Sequence, residues 1–218
     1  MSEEKFENWP AVLADLSEGR DLDSKTAEAA LMSVLRGEAT DAQLAAFVVA
    51  LRQKGETVDE LSGLVRAMRV ACIPINCSPE TIDLVGAGGS QMGREAALNV
   101  STIASFVAAG AGAKVCKHGN RKASSTSGSF DLLEELSIAA ELTPEQVSLC
   151  VEEVGVGFAY ARSFHPAMRH ASQVRMELGI PTVFNLLGPL SHPASLTRQV
   201  IGVPVEATGK RMAEVLKA

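Results

Sequence analysis

Thr81-Ile82-Asp83-Leu84-Val85 runs without a break into Gly86-Ala87-Gly88-Gly89-Ser90. Apart from Asp83, the first five residues are β-branched or apolar, which predicts a strand. The glycines then let backbone N–H groups approach an anion that side chains would keep away. A plain strand-to-helix turn would also use them, and the stretch is neither GxGxxG nor a Walker loop.

Outward from this stretch the pattern continues as strand and helix in turn. Val100 to Ala109 predicts a small-residue helix, Lys114–Lys117 a strand, Ser129–Leu136 a helix and Val156–Tyr160 a third strand. Thr143-Pro144-Glu145-Gln146 is a helix start with proline at the first helical position. Pro166–Leu178 and Thr182–Pro189 read as helices, and Gln199–Val203 as a fourth strand, with a helix after it. Such alternation predicts a parallel α/β sheet with right-handed crossovers. With so few strands, and the chain stopping inside a crossover helix, the α/β domain reads as truncated.

Before residue 80 the period is helical. Trp9, Val12, Leu13 and Leu16 lie on one helix face, as do Ala27, Ala30, Leu31, Val34 and Leu35, with Gly37 able to end that helix. Thr40 with Gln43, and Thr57 with Glu60, make capping boxes ahead of two further apolar faces. Four short amphipathic helices predict a small helical domain. The two prolines in Ile73–Pro79 mark the change between the regimes.

Composition narrows the function. Lys and Arg number 20 against 26 Asp and Glu, a net charge of -6, so general nucleic-acid or anionic-membrane binding is disfavoured. Aromatics at 4% disfavour a base-stacking platform. No apolar run reaches the roughly 20 residues of a membrane helix, and the polar Met1–Glu7 is no secretory signal. Cys72, Cys77, Cys116 and Cys150 form no CxxC pair and have no zinc spacing; Cys116 and Cys150 read as small buried hydrophobes, in keeping with a reducing cytoplasm.

Against this acidic background, Lys117-His118-Gly119-Asn120-Arg121-Lys122-Ala123-Ser124-Ser125-Thr126-Ser127-Gly128-Ser129 stands out. Three fixed positive charges, one imidazole and five hydroxyls fall within thirteen residues, between a strand and a helix. Ligands of open α/β sheets bind at the carboxyl ends of the strands, and a phosphate or pyrophosphate is the natural occupant here. Asn99-Val100-Ser101-Thr102 opens a helix, as an ordinary cap or as a second phosphate site. Arg169 and His170 read as solvated, and His192 as a loop residue rather than a ligand. No Ser-His-Asp set or carboxylate pair is evident, which suits displacement at a sugar carbon driven by positioning and electrostatics.

Val85–Gly89, Asn99–Thr102, Lys117–Arg121, Ser127–Ser129, His165-Pro166-Ala167-Met168 and Phe184-Asn185-Leu186-Leu187-Gly188-Pro189-Leu190 occur in the order seen in the anthranilate phosphoribosyltransferases, which the chain resembles over nearly its whole length. The resemblance implies transfer of a phosphoribosyl group from phosphoribosyl pyrophosphate to anthranilate, with loss of pyrophosphate, in tryptophan biosynthesis. It implies Mg²⁺ as cofactor, a homodimer and a cytoplasmic location. By resemblance, Gly86, Gly89, Ser90, Asn99, Ser101, Thr102, Lys117, His118, Gly119, Asn120, Arg121, Ser124, Ser125 and Ser129 bind the phosphoribosyl donor. Ser101 contacts Mg²⁺, and Gly86, Asn120 and Arg175 contact anthranilate. The helical, dimerising domain would be 1–79 with 163–194, and the α/β domain 80–162 with 195–218, the active site lying between them.

Departures are visible. The usual Gly-Thr-Gly-Gly-Asp is Gly86-Ala87-Gly88-Gly89-Ser90, an expected hydroxyl is Ala97, and the stretch from Ser90 to Asn99 is about two residues longer than is usual in the family. The family's later half, with its Asp-Glu pair for Mg²⁺, lies beyond these residues, so the chain alone is expected to turn over little. A non-catalytic partner subunit, or a phosphoribosyltransferase with another acceptor, remain alternatives; the family's DNA-binding cousins are disfavoured by the charge.

Overall fold

The computed structural model describes residues 6–87, 98–121 and 127–218. In chain order the helices and strands are α1 (Trp9–Ser17), α2 (Ser24–Leu35), α3 (Asp41–Lys54), α4 (Val58–Val70), β1 (Ile82–Gly86), α5 (Val100–Gly110), β2 (Val115–Gly119), α6 (Ser129–Glu135), α7 (Pro144–Val154), β3 (Val156–Tyr160), α8 (Ala161–Phe164), α9 (Arg169–Leu178), α10 (Phe184–Leu190), β4 (Arg198–Gly202) and α11 (Glu206–Lys217). The capping boxes at Thr40, Thr57 and Thr143 are all formed. None of the described helices is long and apolar enough to cross a membrane.

Contacts sort the chain into two units. A helical unit runs to Cys72 and adds Pro166–Ser191 and Ala207–Ala218; a sheet unit is Ile73–His165 with His192–Glu206. These bounds differ from the expected ones. Residues 73–79 join the sheet unit because Ile75 bridges Ala194 and the Ile73 N–H donates to the Phe164 carbonyl at 2.8 Å. The last helix joins the helical unit, where Arg211 pairs with Glu56 at 3.1 Å.

In the helical unit, α2 and α4 pack most closely, with Ala27, Ala30, Leu31, Leu61 and Leu64 all fully buried. Each such leucine contributes about 1.5–3 kcal/mol. The approach depends on Gly63, where a Cβ would stand 2.0 Å from the Ser24 carbonyl oxygen. Gly63→Ala should therefore destabilise the unit by about 1–3 kcal/mol through overpacking. Equal urea midpoints for the two proteins would refute this. Trp9 stands edge-on to Phe47, joining α1 to α3 at 5.6 Å between centroids. On α9, the His170 imidazole lies against Gly37, which has φ +74°. His170 is thus half-buried rather than solvated, while Arg169 is exposed as expected.

In the sheet unit, four parallel strands lie in the order β3-β2-β1-β4. β3 shows the period of two directly. Phe158 and Tyr160 pack with Phe130 and Leu133 of α6, whereas Ala159 packs with Cys116 and with Val147 and Val151 of α7. Gly157 faces α7 too, and its missing side chain admits the Val147 carbonyl, which a Cβ would meet at 2.6 Å. Cys150, expected to be buried, is half-buried beside Val151 on α7.

Candidate functional site

All four strands are parallel, so their carboxyl ends share one edge. Gly86 pairs with Gly202, and Gly119 with Tyr160, along it. The first three strands step outward from β1 to β3 and the fourth returns to the other side of β1. The order therefore reverses at β1, and the crevice outside its carboxyl end is where such sheets take ligands. Gly86 is exposed there, and the Ala87 N–H donates to the Gly202 carbonyl at 2.8 Å.

Several sequence-predicted residues meet at this edge. The Asn99 side-chain amide donates to Ser127 Oγ at 3.0 Å, which ties the start of α5 to the end of the basic loop. Asn99 itself makes no side-chain cap bond to α5, so the ordinary N-cap reading gives way to this bridge. Gly119 is needed because a Cβ would come within 3.0 Å of Ser129 Cβ and Oγ. The Phe130 N–H donates to the Asn120 carbonyl at 3.3 Å, and the Arg121 N–H to Asn120 Oδ1 at 2.8 Å. At the mouth of α6, the Gly128 N–H donates to Asp131 Oδ2 at 2.7 Å. Gly89, Ser90, Ala97, Ser124 and Ser125 lie outside the described residues.

Lys117 carries the electrostatics. It is 1% exposed, and its Nζ donates to the Leu84 carbonyl at 2.6 Å and to that of His118 at 3.4 Å. Burial pulls its pKa from 10.5 down to about 8, and the Asp83 carboxylate only partly opposes this. A buried ammonium without a full ionic partner gains from an arriving anion. Arg121 instead pairs with Glu134 at 2.9 Å and lies over the Tyr160 ring. His118 points to the other face of β2, its ring 5.2 Å from that of His165 and 5.6 Å from that of His192. In its loop His192 is buried, accepting from the Ala194 N–H at Nδ1 and reaching the Cys116 carbonyl with Nε2 at 2.9 Å. Desolvation lowers its pKa, and with both nitrogens engaged it is no ligand.

Asp83 is a residue that sequence reasoning passed over. It is fully buried, accepting from the His118 N–H at 3.1 Å and from Gln199 Nε2 at 2.8 Å. The signal was a lone acid in an apolar strand. Ser101 and Thr102 at the start of α5 offer hard oxygen donors, and Thr102 Oγ1 is buried with no hydrogen-bond partner among the described residues. No cluster of three or more His, Cys, Asp or Glu able to hold a metal occurs among the described residues.

Arg175 belongs to the helical unit. It is half-buried on α9, its guanidinium 5.0 Å from the Phe184 ring centroid. Desolvation lowers its pKa, and no carboxylate pairs with it among the described residues.

Residues 78–218 match the model of the family described as glycosyl transferase family, a/b domain, and residues 10–72 that of its helical bundle domain. The chain belongs to this glycosyl transferase family. This glycosyl transferase family chain is 47% identical over 208 residues to the anthranilate phosphoribosyltransferase of Arthrobacter sp. (strain FB24), spanning 95% of this chain and 58% of that protein. It is 50% identical over 196 residues to that of Streptomyces griseus, spanning 90% and 54%. The structure of the Thermus thermophilus enzyme superposes with a TM-score of 0.86 at 43% identity, over 94% of this chain and 62% of that one. The Saccharomyces cerevisiae enzyme in complex with PRPP and Mg superposes with a TM-score of 0.83 at 28% identity, over 95% and 61%. The chain thus spans about three fifths of the length of these relatives.

Proposed function

We propose that the chain binds phosphoribosyl pyrophosphate at the carboxyl edge of its sheet and transfers the phosphoribosyl group to anthranilate, in tryptophan biosynthesis. One observation carries this reading: the Asn99–Ser127 bridge and the Gly119–Ser129 approach fall together at that edge, with the Lys117 ammonium buried just inside it. The named relatives support it, including the yeast enzyme in complex with PRPP and Mg and the one in complex with 4-fluoroanthranilate.

The chemistry asked of these residues is electrostatic. As the bond from C1 to pyrophosphate breaks, negative charge grows on the leaving oxygens. We assign to Lys117 and to the hydroxyls of Ser101, Thr102 and Ser129 the task of holding that charge. The half-buried hydroxyl of Ser101 fits an Mg²⁺ that would take most of its ligands from water and the donor's phosphates. Such an ion would neutralise the departing pyrophosphate. Gly89, Ser90, Ser124 and Ser125 complete the donor-binding set as we assign it, with Gly86, Asn120 and Arg121; His118, expected in this set, instead turns its ring to His165 and His192 and gives its N–H to Asp83. For the acceptor we assign Gly86, Asn120 and Arg175. A half-buried guanidinium that no carboxylate pairs among the described residues is suited to the bidentate pairing that anthranilate's carboxylate offers.

Arg175→Ala should weaken anthranilate binding roughly tenfold, as for a lost charged hydrogen bond, and leave pyrophosphate binding unchanged. Titration calorimetry with each ligand checks this. If anthranilate affinity holds in the variant, Arg175 is not its partner; if PRPP with Mg²⁺ gives no heat of binding to the parent chain, the proposed function itself falls. We further assign a cytoplasmic location and a homodimer formed through the helical unit, where Val70 of α4 is 71% exposed. Sedimentation giving only monomer would remove the dimer.

A further inference from the structure

We propose that Cys77 and Cys116 are a reversible redox pair, closing to an intrachain disulfide when the chain meets a small-molecule disulfide such as oxidised glutathione. All four cysteines are free thiols. Cys116 is fully buried on β2, in the cluster that joins α7 to the sheet, and Cys77 packs against that cluster. The Cys77 side chain thus comes to the cluster that holds the Cys116 thiol. Their meeting is held by three separate ties. Ile75 bridges Ala194, with its N–H on the Pro193 carbonyl at 3.2 Å. Ser148 of α7 donates to the Asn76 carbonyl. His192, two residues before Ala194, holds the carbonyl of Cys116 itself at 2.9 Å.

The two cysteines differ in a way that assigns their roles. Cys77 is half-buried and reachable by a small oxidant, while Cys116 is sealed in the core. The contact lowers the Cys77 thiol from its ordinary value, and the same contact together with burial pushes the Cys116 thiol up. Thiolate character and access select the attacking sulfur. The Cys77 thiolate attacks one sulfur of the oxidant, the S–S bond breaks and one thiolate of glutathione leaves. The Cys116 thiol then gives up its proton and attacks the Cys77 sulfur, and the second glutathione thiolate leaves. Two protein thiols are oxidised and one glutathione disulfide is reduced to two thiols. The crosslink would tie the segment before β1 to the strand that carries Lys117, closing the loop that holds β1 and α5.

The test is thiol counting on the whole chain. After incubation with oxidised glutathione and acid quenching, the protein is denatured, alkylated with N-ethylmaleimide and mapped by mass spectrometry. The expected result is a fall from four alkylated cysteines to two, with one peptide pair joined through Cys77 and Cys116, reversed by dithiothreitol. Cys116→Ala should stop at a single glutathione on Cys77, and Cys77→Ser should leave Cys116 alkylatable. A wild-type chain in which Cys116 stays alkylatable, or in which the crosslink joins Cys72 or Cys150, would overturn the proposal. This outcome is independent of whether the chain binds phosphoribosyl pyrophosphate.

Discussion

Replacing Lys117 with methionine should weaken pyrophosphate or PRPP binding roughly 10- to 150-fold, the loss expected for one charged hydrogen bond of about 1.5–3 kcal/mol. The same substitution should remove a distinct pH dependence of stability. In the folded chain the Lys117 ammonium gives up its proton near pH 8, against 10.5 for an ordinary lysine. Between those values the unfolded chain holds a proton that the folded chain has released. Unfolding free energy must therefore rise with pH across that window, by up to about 3 kcal/mol. Below pH 8 the folded protein carries the full burden of a buried charge. Anion binding should run the other way, falling as pH climbs past 8, because the ligand recruits the charged form. Denaturant titrations of both proteins at pH 7 and pH 10 separate this group from others. The wild type should gain relative to the methionine variant, and parallel curves would show that Lys117 does not titrate in that range. High salt should shrink the difference in affinity less than for an exposed lysine, since screening acts weakly on a buried ion.

Glu60→Ala should cost the helical unit about 3–5 kcal/mol, the range for removing one partner of a buried ion pair. Glu60 is fully buried and its carboxylate serves three donors at once. Oε1 accepts from the Leu22 N–H at 2.9 Å; Oε2 accepts from the Thr57 N–H at 2.8 Å and from Lys54 Nζ at 3.0 Å. Lys54 would keep Asp21, at 2.6 Å, but Asp21 is largely exposed. Two backbone N–H groups would lose their acceptors as well. Glu60→Gln keeps an acceptor and removes the charge, so it should fall between wild type and alanine. Thermal denaturation in which alanine and glutamine behave alike would mean that the charge alone matters and the retained acceptor contributes nothing.

The capping box that ends in Glu60 was legible as sequence, because Thr57 and Glu60 stand at the spacing it requires. Its reach to Leu22 and Lys54 was not, because those partners come from other parts of the chain. The same division runs through the site. The basic loop and the Asn99 motif stood out by composition in an acidic chain, and the parallel order of the strands followed from alternation. The bridge from Asn99 to Ser127 required the crossover to bring them together. Asp83 and His192 were hidden for a related reason: His192 is held by backbone atoms, which leave no mark in a sequence, and Asp83 by a backbone N–H of β2 and a side chain of β4, both distant in the chain. The Ile73–Pro79 stretch read as a break at the end of the helical domain through its prolines, yet Ile75 is buried against Ala194 of the sheet unit. α11 follows β4 in the chain, but Arg211 is drawn to Glu56 across a separation that no local pattern encodes.

That separation has a consequence for how the molecule is made. The helical unit is assembled from three stretches of chain, with most of the sheet unit threaded between the first and the second. During synthesis α1 to α4 emerge first, but α9, which packs on α2 and α3, comes only after three strands have left the ribosome. The early helices must wait with part of their apolar surface uncovered, and a holdase that recognises such surface would find it in that interval. Distant contacts also slow the search for the native state. Refolding of this chain should therefore show the sheet unit and the helices maturing together, with closure of the bundle by its late helices as the last event.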